Sequence, residues 1–162
     1  MELVKLQEIE IQGNPVIGIK ASQFQVNGYD LSKFDPSIFF DELIFSADYG
    51  ETVGWVPKTF DVHGPYLVST FKPTNFKLLT LTQVKADISS VFLENENPEW
   101  KQADDKKKET IFRGLNEEAT SCFKLDVKGL GEWEHQPYKQ WHEFVVISPS
   151  QKNFWLIVVG ED

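Results

Sequence analysis

The sequence has little of what metal or disulfide chemistry requires. It contains one cysteine and three histidines, and these residues show no zinc-ligand spacing such as two histidines four apart or paired cysteines. Cys122 alone cannot form a disulfide within the chain. No basic and apolar leader opens the sequence. These features favour a reducing, cytoplasmic setting.

Long apolar runs are also missing. The longest, residues 154–159, is far shorter than the ~20 residues that a membrane helix needs, so we expect a soluble protein that does not enter a membrane. Basic residues are few, with 16 Lys and Arg against 25 Asp and Glu and a net charge of −9. A nucleic-acid-binding protein needs cations to displace phosphate counterions, so the charge argues against that class and suits a basic protein partner.

Motifs for catalysis and cofactor binding are not found. Gly129-Leu130-Gly131 resembles the start of a dinucleotide loop but lacks a third glycine, and the acids that follow would repel a pyrophosphate. There is no Walker loop and no G-x-S-x-G elbow. Cys122 falls on the predicted wet face of a strand over residues 121–128, which is a weak position for a nucleophile. We therefore predict no catalytic residue, no metal and no cofactor.

The tail of the chain holds the strongest structural signal. Residues 144–147 and 154–159 are rich in β-branched and aromatic side chains, and the polar residues 148–153 between them favour a turn. In the second strand, alternation puts Phe154, Leu156 and Val158 on one face and Trp155, Ile157 and Val159 on the other. Both faces are apolar, so this hairpin should be central in a sheet that is covered on both sides.

The remaining chain alternates between strand and helix patterns. Hairpins are predicted over residues 3–20, with a bulge near Gln7-Glu8, and over residues 66–81 around Pro73. Helices are predicted from Pro36 to about Phe45, over residues 83–94 behind a Thr82 cap, and from Asn97-Pro98 to about Gly114. With 162 residues and no linker or repeat, the sequence predicts one α+β domain spanning 1–162: a mainly antiparallel sheet with two or three helices packed on it and the C-terminal hairpin central.

An acidic and aromatic segment gives the main functional hypothesis. Between residues 30 and 51 there are six acids and one base, so 1 minus 6, or −5, of the net −9 lies there. Aromatic anchors beside carboxylates suit a binding face for a basic protein, although the same phenylalanines could be core and the acids the wet side of a short helix. The sequence thus predicts a small acidic cytoplasmic binding protein that neutralises a basic partner such as a toxin domain, in the manner of immunity proteins and antitoxins. The predicted partner-binding residues are Asp41, Glu42, Asp48, Tyr49 and Trp55.

The alternative is a small-molecule-binding or hydrolytic domain. Glu132 and Glu134 with His135 and His142 form the densest group of titratable residues, and Trp133, Tyr138 and Trp141 flank them. The polar groups of the predicted site are Glu132, Glu134 and His142. Such side chains could line an aromatic pocket, or they could be a solvated loop before the last hairpin. A subunit of a larger assembly is a third possibility, because exposed aromatic residues also form oligomer interfaces. The sequence leaves the oligomeric state and the identity of the partner open.

Overall fold

A six-stranded antiparallel sheet organises the protein, with the tail hairpin at its centre. The computed structural model describes residues 2–12, 17–35, 62–92, 98–115, 121–132 and 140–161. These residues form eight strands: β1 (Glu2–Gln12), β2 (Ile17–Asn27), β3 (Val62–His63), β4 (Tyr66–Leu67), β5 (Phe76–Leu79), β6 (Ser121–Leu125), β7 (Gln140–Ser148) and β8 (Asn153–Glu161). They also form two α-helices, α1 (Leu81–Phe92) and α2 (Pro98–Gly114).

The sheet order is β1-β2-β8-β7-β6-β5, and β3 and β4 form a separate two-stranded hairpin. All neighbouring strands run antiparallel, and β7 and β8 occupy the third and fourth positions. The hairpin between them turns through Pro149–Gln151 and a left-handed Lys152 at φ 53°. The predicted fold class, an α+β structure with a mainly antiparallel sheet and a central C-terminal hairpin, is confirmed. The third predicted helix, from Pro36 to about Phe45, lies outside the described residues.

The two faces of the sheet bury separate cores, as the alternation of β8 predicts. On the face that we call the helix face, Trp155, Ile157 and Val159 pack with residues of α1 and α2. On the opposite face, which we call the hairpin face, Phe154, Leu156 and Val158 join a core that includes Tyr66 of the β3–β4 hairpin. Because both faces are covered, β8 is apolar along most of its length.

The helices begin where proline and capping chemistry allow. The structure confirms α2, which starts at Pro98 and ends at Gly114 as predicted. Helix α1 starts two residues before the predicted position, because Thr80 rather than Thr82 provides the cap. The Gln83 backbone N–H donates to the Thr80 Oγ1 at 3.2 Å, and the Thr80 N–H donates to the Gln83 side-chain oxygen at 2.8 Å. This reciprocal pair satisfies backbone donors at the start of the helix. Within the described residues, neither helix is long and apolar enough to cross a membrane.

Two local predictions are wrong. The predicted hairpin over residues 66–81 does not form, because Val68–Thr70 and Pro73–Asn75 are short 3-10 turns and β5 pairs with β6. The predicted wet face of β6 is also incorrect, since Cys122 is buried in the helix-face core. Burial raises the pKa of its thiol to about 11, which leaves Cys122 protonated at neutral pH. Both errors have the same cause, a contact with an element that is distant in the sequence. Strand β6 pairs with β5, and helix α1 helps to bury Cys122.

Candidate functional site

The residues predicted to contact a basic partner lie outside the described part of the chain. This applies to Asp41, Glu42, Asp48, Tyr49 and Trp55. Their role remains a prediction from the sequence. What the structure gives is the position of the residues on either side of segment 36–61, which we call the acidic segment.

The alternative site has two described members, Glu132 and His142, and the structure does not bring them together. Glu132 is exposed and forms an isolated bridge with Tyr66, whose ring belongs to the hairpin-face core. His142 lies two residues from Phe144 on β7 and therefore points to the helix face with it. The sheet separates the two side chains. The third member, Glu134, lies outside the described residues.

On the helix face, His142 lies near a partly buried ion pair. Lys124 of β6 contacts Asp87 of α1, with 2.6 Å between Nζ and Oδ2, and its Nζ also lies 5.5 Å from the centre of the Phe144 ring. Burial lowers the pKa of His142, the charge of Lys124 lowers it further, and Asp87 opposes the shift without cancelling it. His142 is therefore neutral at pH 7 and acts as part of the packing between α1 and the sheet.

Acidification should therefore destabilise the protein through His142. The pKa of His142 is lower in the folded state than the value of 6.5 expected in the unfolded chain, so on acidification the unfolded chain takes up the proton first. The contribution of neutral His142 to the free energy of unfolding is therefore present above pH 6.5. It is lost as the pH falls from 6.5 through the lowered pKa of the folded state. Urea unfolding of the wild type and of His142→Gln between about pH 7.5 and 5 measures this. The wild type should lose more stability on acidification than the variant, and parallel pH profiles would contradict the assignment.

A buried polar contact on the hairpin face joins β3 to β7. His63 Nε2 contacts Glu143 Oε2, and the two side chains are 0% and 1% exposed. The Trp141 Nε1–H also approaches Glu143 Oε2, at 3.4 Å. The other carboxylate oxygen, Oε1, is buried and has no hydrogen-bond partner among the described residues. Since an uncompensated carboxylate is costly to bury, the contact with His63 is the main compensation seen for placing Glu143 there.

The enclosure of this pair favours a structural role. The rings of Phe71 and Trp141 lie nearly perpendicular to the His63 imidazole, with centroids 5.5 and 6.4 Å away. A general acid or base must come within hydrogen-bond reach of the substrate proton that it transfers. With almost no exposed surface, His63 and Glu143 cannot contact an external substrate in this conformation. The pair instead fixes the β3–β4 hairpin to the centre of the sheet.

Further contacts hold the same hairpin. Gly64 has a φ of 56°, and a Cβ atom at this position would come within 2.7 Å of Cε2 of the Trp141 ring. On the other side of the hairpin, the Leu67 N–H donates to the Gly131 carbonyl at 2.8 Å. Burial raises the pKa of the Tyr66 phenol, and the charge of Glu132 adds to the shift. The hairpin is thus docked between β7 and residues 131–132.

The described residues on both sides of the acidic segment pack on the hairpin face. Before it, the Tyr29 hydroxyl donates to the Lys33 carbonyl at 2.9 Å, and the Phe34 ring lies 5.6 Å from that of Phe123 on β6. After it comes β3, which His63 fixes to β7. The chain therefore enters and leaves the acidic segment over the neighbouring strands β6 and β7.

The net charge is unevenly divided along the chain. The described residues include fourteen Asp and Glu and fourteen Lys and Arg, so their formal charge is zero. The other residues contain eleven acids and two bases, which accounts for the whole net charge of −9. Segment 36–61 alone has five acids and one base, or −4. The sheet and helices thus form an electrically neutral framework, and the acid excess lies outside the described residues.

Sequence reasoning missed the contact between His63 and Glu143. The two residues are 80 positions apart, so no local spacing relates them. One signal was present, because Glu143 interrupts the apolar strand β7 between Trp141 and Val145, and an acid in a central strand that is covered on both sides needs a buried partner. The identity of that partner depended on the tertiary structure.

Neither a metal site nor a similar protein of known function indicates what the chain does. Within the described ranges, no three His, Cys, Asp or Glu side chains are grouped as metal ligands. No protein-family model matches the chain, and no curated protein matches its sequence. Function must therefore be inferred from the charge distribution and the geometry.

Proposed function

We propose that this chain is a small acidic cytoplasmic protein that binds and neutralises a basic protein, in the manner of an immunity protein or antitoxin. The observation that carries the proposal is the uneven distribution of charge. The described residues carry no net charge, and the acid excess lies in the rest of the chain, where the acidic segment makes the largest single contribution. Clustered charge of one sign raises the rate at which an oppositely charged partner is encountered.

The acidic segment combines this charge with side chains that can anchor a complex. Tyr49 and Trp55 lie among its acids, and aromatic residues often contribute much of the binding energy in protein interfaces, whereas rim charges mainly affect association. In the flanking residues, Phe34 contacts Phe123 of β6 and His63 contacts Glu143 of β7. The described residues before and after the segment therefore lie over neighbouring strands of the sheet.

A pocket formed by Glu132, Glu134 and His142 has less support. The sheet separates Glu132 from His142, so these two side chains cannot converge on one small ligand. Ligand sites require a few polar groups that point into one concavity. We therefore favour the protein-binding function over the small-molecule or hydrolytic one.

The proposal can be tested by affinity capture from the lysate of the source organism, followed by binding kinetics with the captured protein. We expect the wild type to retain a basic protein whose activity it blocks at equimolar concentration. The Asp41→Asn, Glu42→Gln variant should associate roughly 3- to 10-fold more slowly at low salt, with a smaller change in dissociation. The difference should shrink as salt is raised, because exposed charges are screened.

A matched control removes the same charge from the neutral framework. Asp105 and Glu109 lie on α2 with side chains 55% and 60% exposed, and both pair with bases one turn away. Such exposed pairs contribute little to stability, so Asp105→Asn, Glu109→Gln should fold normally. The control should associate at the wild-type rate. If both variants slow association equally, only total charge matters and the acidic segment is not the binding face. Failure to capture any basic protein would overturn the proposed function.

A further inference from the structure

Strand β1 is a long sheet edge with exposed apolar residues. Among the described strands it pairs with β2 alone, so its other edge has backbone donors and acceptors without a described strand partner. Val4 and Leu6 are 40% and 49% exposed. Long edges with apolar side chains are natural sites for strand pairing with another chain.

A bulge changes the phase of β1 near its middle. Lys5 pairs with Phe24 and Gln7 with Gln23, which leaves Leu6 as the extra residue. On the N-terminal side of the bulge Leu3 packs against the hairpin-face core, whereas Ile9 beyond it packs against the helix-face core. Lys5 and Glu8, although three residues apart, share a face, because the Lys5 Nζ donates to the Glu8 carboxylate at 2.9 Å.

This phase change restricts how β1 could pair with a copy of itself. Residues directly opposite each other in an antiparallel pair point to the same face. An uninterrupted strand satisfies this about a two-fold axis only when the numbers of paired residues sum to an even number. The bulge of β1 inverts this rule, because odd-numbered residues before it and even-numbered residues after it lie on the same face. The numbers of paired residues must then sum to an odd number. A two-fold axis between Leu6 and Gln7 meets this condition, with pairs that sum to 13.

Next to the axis, this register brings together opposite charges on one face and apolar residues on the other. It places Lys5 opposite Glu8 of the second copy and Glu8 opposite Lys5 of the second copy, on the hairpin face. On the helix face it places Val4 opposite Ile9 of the second copy. We propose that two copies of this chain pair antiparallel through β1 about a two-fold axis at the bulge, which extends the sheet to twelve strands. This inference does not depend on the proposed function.

The interface is small, so the dimer should depend on concentration. A single strand pair covers less surface than the ~800 Å² on each partner that is typical of stable complexes. Analytical ultracentrifugation from about 10 µM to about 1 mM covers the range in which weak interfaces are populated.

Two variants that each place a lysine on one edge of the sheet form a matched pair. Leu6→Lys alters β1, and Leu78→Lys alters β5 at the other edge, where Leu78 is 70% exposed. We expect the wild type and Leu78→Lys to dimerise equally and Leu6→Lys to weaken the dimer at least about 10-fold. Circular dichroism and melting curves would verify that both variants fold. A protein that stays monomeric at 1 mM, or a dimer lost in Leu78→Lys and retained in Leu6→Lys, would overturn the proposal.

A spin label tests the register without altering Leu6. Gln7 is exposed and adjacent to the proposed axis, so a nitroxide at Gln7→Cys should show dipolar broadening that increases with protein concentration. A label at Lys77→Cys on β5 is the control and should show none. Cys122 is buried and should remain unlabelled. Dimerisation without broadening at position 7 would show that another surface forms the interface and would overturn the β1 assignment.

Discussion

Replacing His63 with phenylalanine should lower the free energy of unfolding by about 3 kcal/mol, because the buried carboxyl group of Glu143 loses its main polar partner. The substitution leaves Glu143 buried, with Oε1 already lacking a described partner and Oε2 retaining only the long contact from Trp141. Phenylalanine preserves much of the ring contact with Phe71, so the loss reports mainly on the polar interaction. Urea denaturation of the wild type and the variant measures the difference.

The double variant His63→Phe, Glu143→Met separates the energy of the polar contact between His63 and Glu143 from that of the surrounding side-chain packing. Exchanging the carboxyl group for an apolar side chain of similar length removes the unpaired buried polar group, so the double variant should recover at least about half of the loss in His63→Phe. Glu143→Met alone completes the thermodynamic cycle. Additive losses from the two single substitutions would contradict a direct energetic coupling between His63 and Glu143.

Replacing Gly64 with alanine should lower the free energy of unfolding by about 2–5 kcal/mol, through two effects that add. The first is backbone strain, because a residue with a Cβ atom loses about 1–2 kcal/mol in the left-handed region that Gly64 occupies at φ 56°. The second is overpacking against the Trp141 ring, which costs about 1–3 kcal/mol when a core cannot give way. Thermal and urea unfolding both report the change.

Gly129 provides the control for strain alone. It also has a positive φ, 83°, but a Cβ atom at this position would have no heavy atom within 4 Å. Gly129→Ala should therefore lose only the backbone contribution of about 1–2 kcal/mol. If Gly64→Ala were no more destabilising than Gly129→Ala, the close packing of the hairpin on Trp141 would not contribute to stability.

Both variants test the contacts that hold the β3–β4 hairpin, and this hairpin follows directly after the acidic segment. His63 and Gly64 reach the central strand β7 through Glu143 and Trp141. A substitution that loosens these contacts would release the β3–β4 hairpin from the sheet. Both variants should therefore be assayed for partner binding as well as for stability.

Sequence by itself determined the features that depend on neighbouring residues. The alternation of β8 specified two apolar faces and hence a strand covered on both sides, and the polar turn after β7 specified a hairpin. The Asn97-Pro98 pair marked the first residue of α2, since proline fits the first helical turn and its missing N–H would have no intrahelical partner there. The uneven charge distribution is likewise a property of the sequence, although its relation to the framework became apparent only with the structure.

Tertiary structure alone decided which distant segments meet. Local patterns could not indicate that β5 pairs with β6, since the paired residues are 43 to 49 positions apart. Nor could they indicate that α1 would place Asp87 beside Lys124 and help to bury Cys122. Nor could they indicate that His63 would contact Glu143 across 80 residues. Local patterns reflect backbone preferences and the period of burial, whereas the choice of partner depends on the free energy of the whole packed arrangement, to which every distant contact contributes.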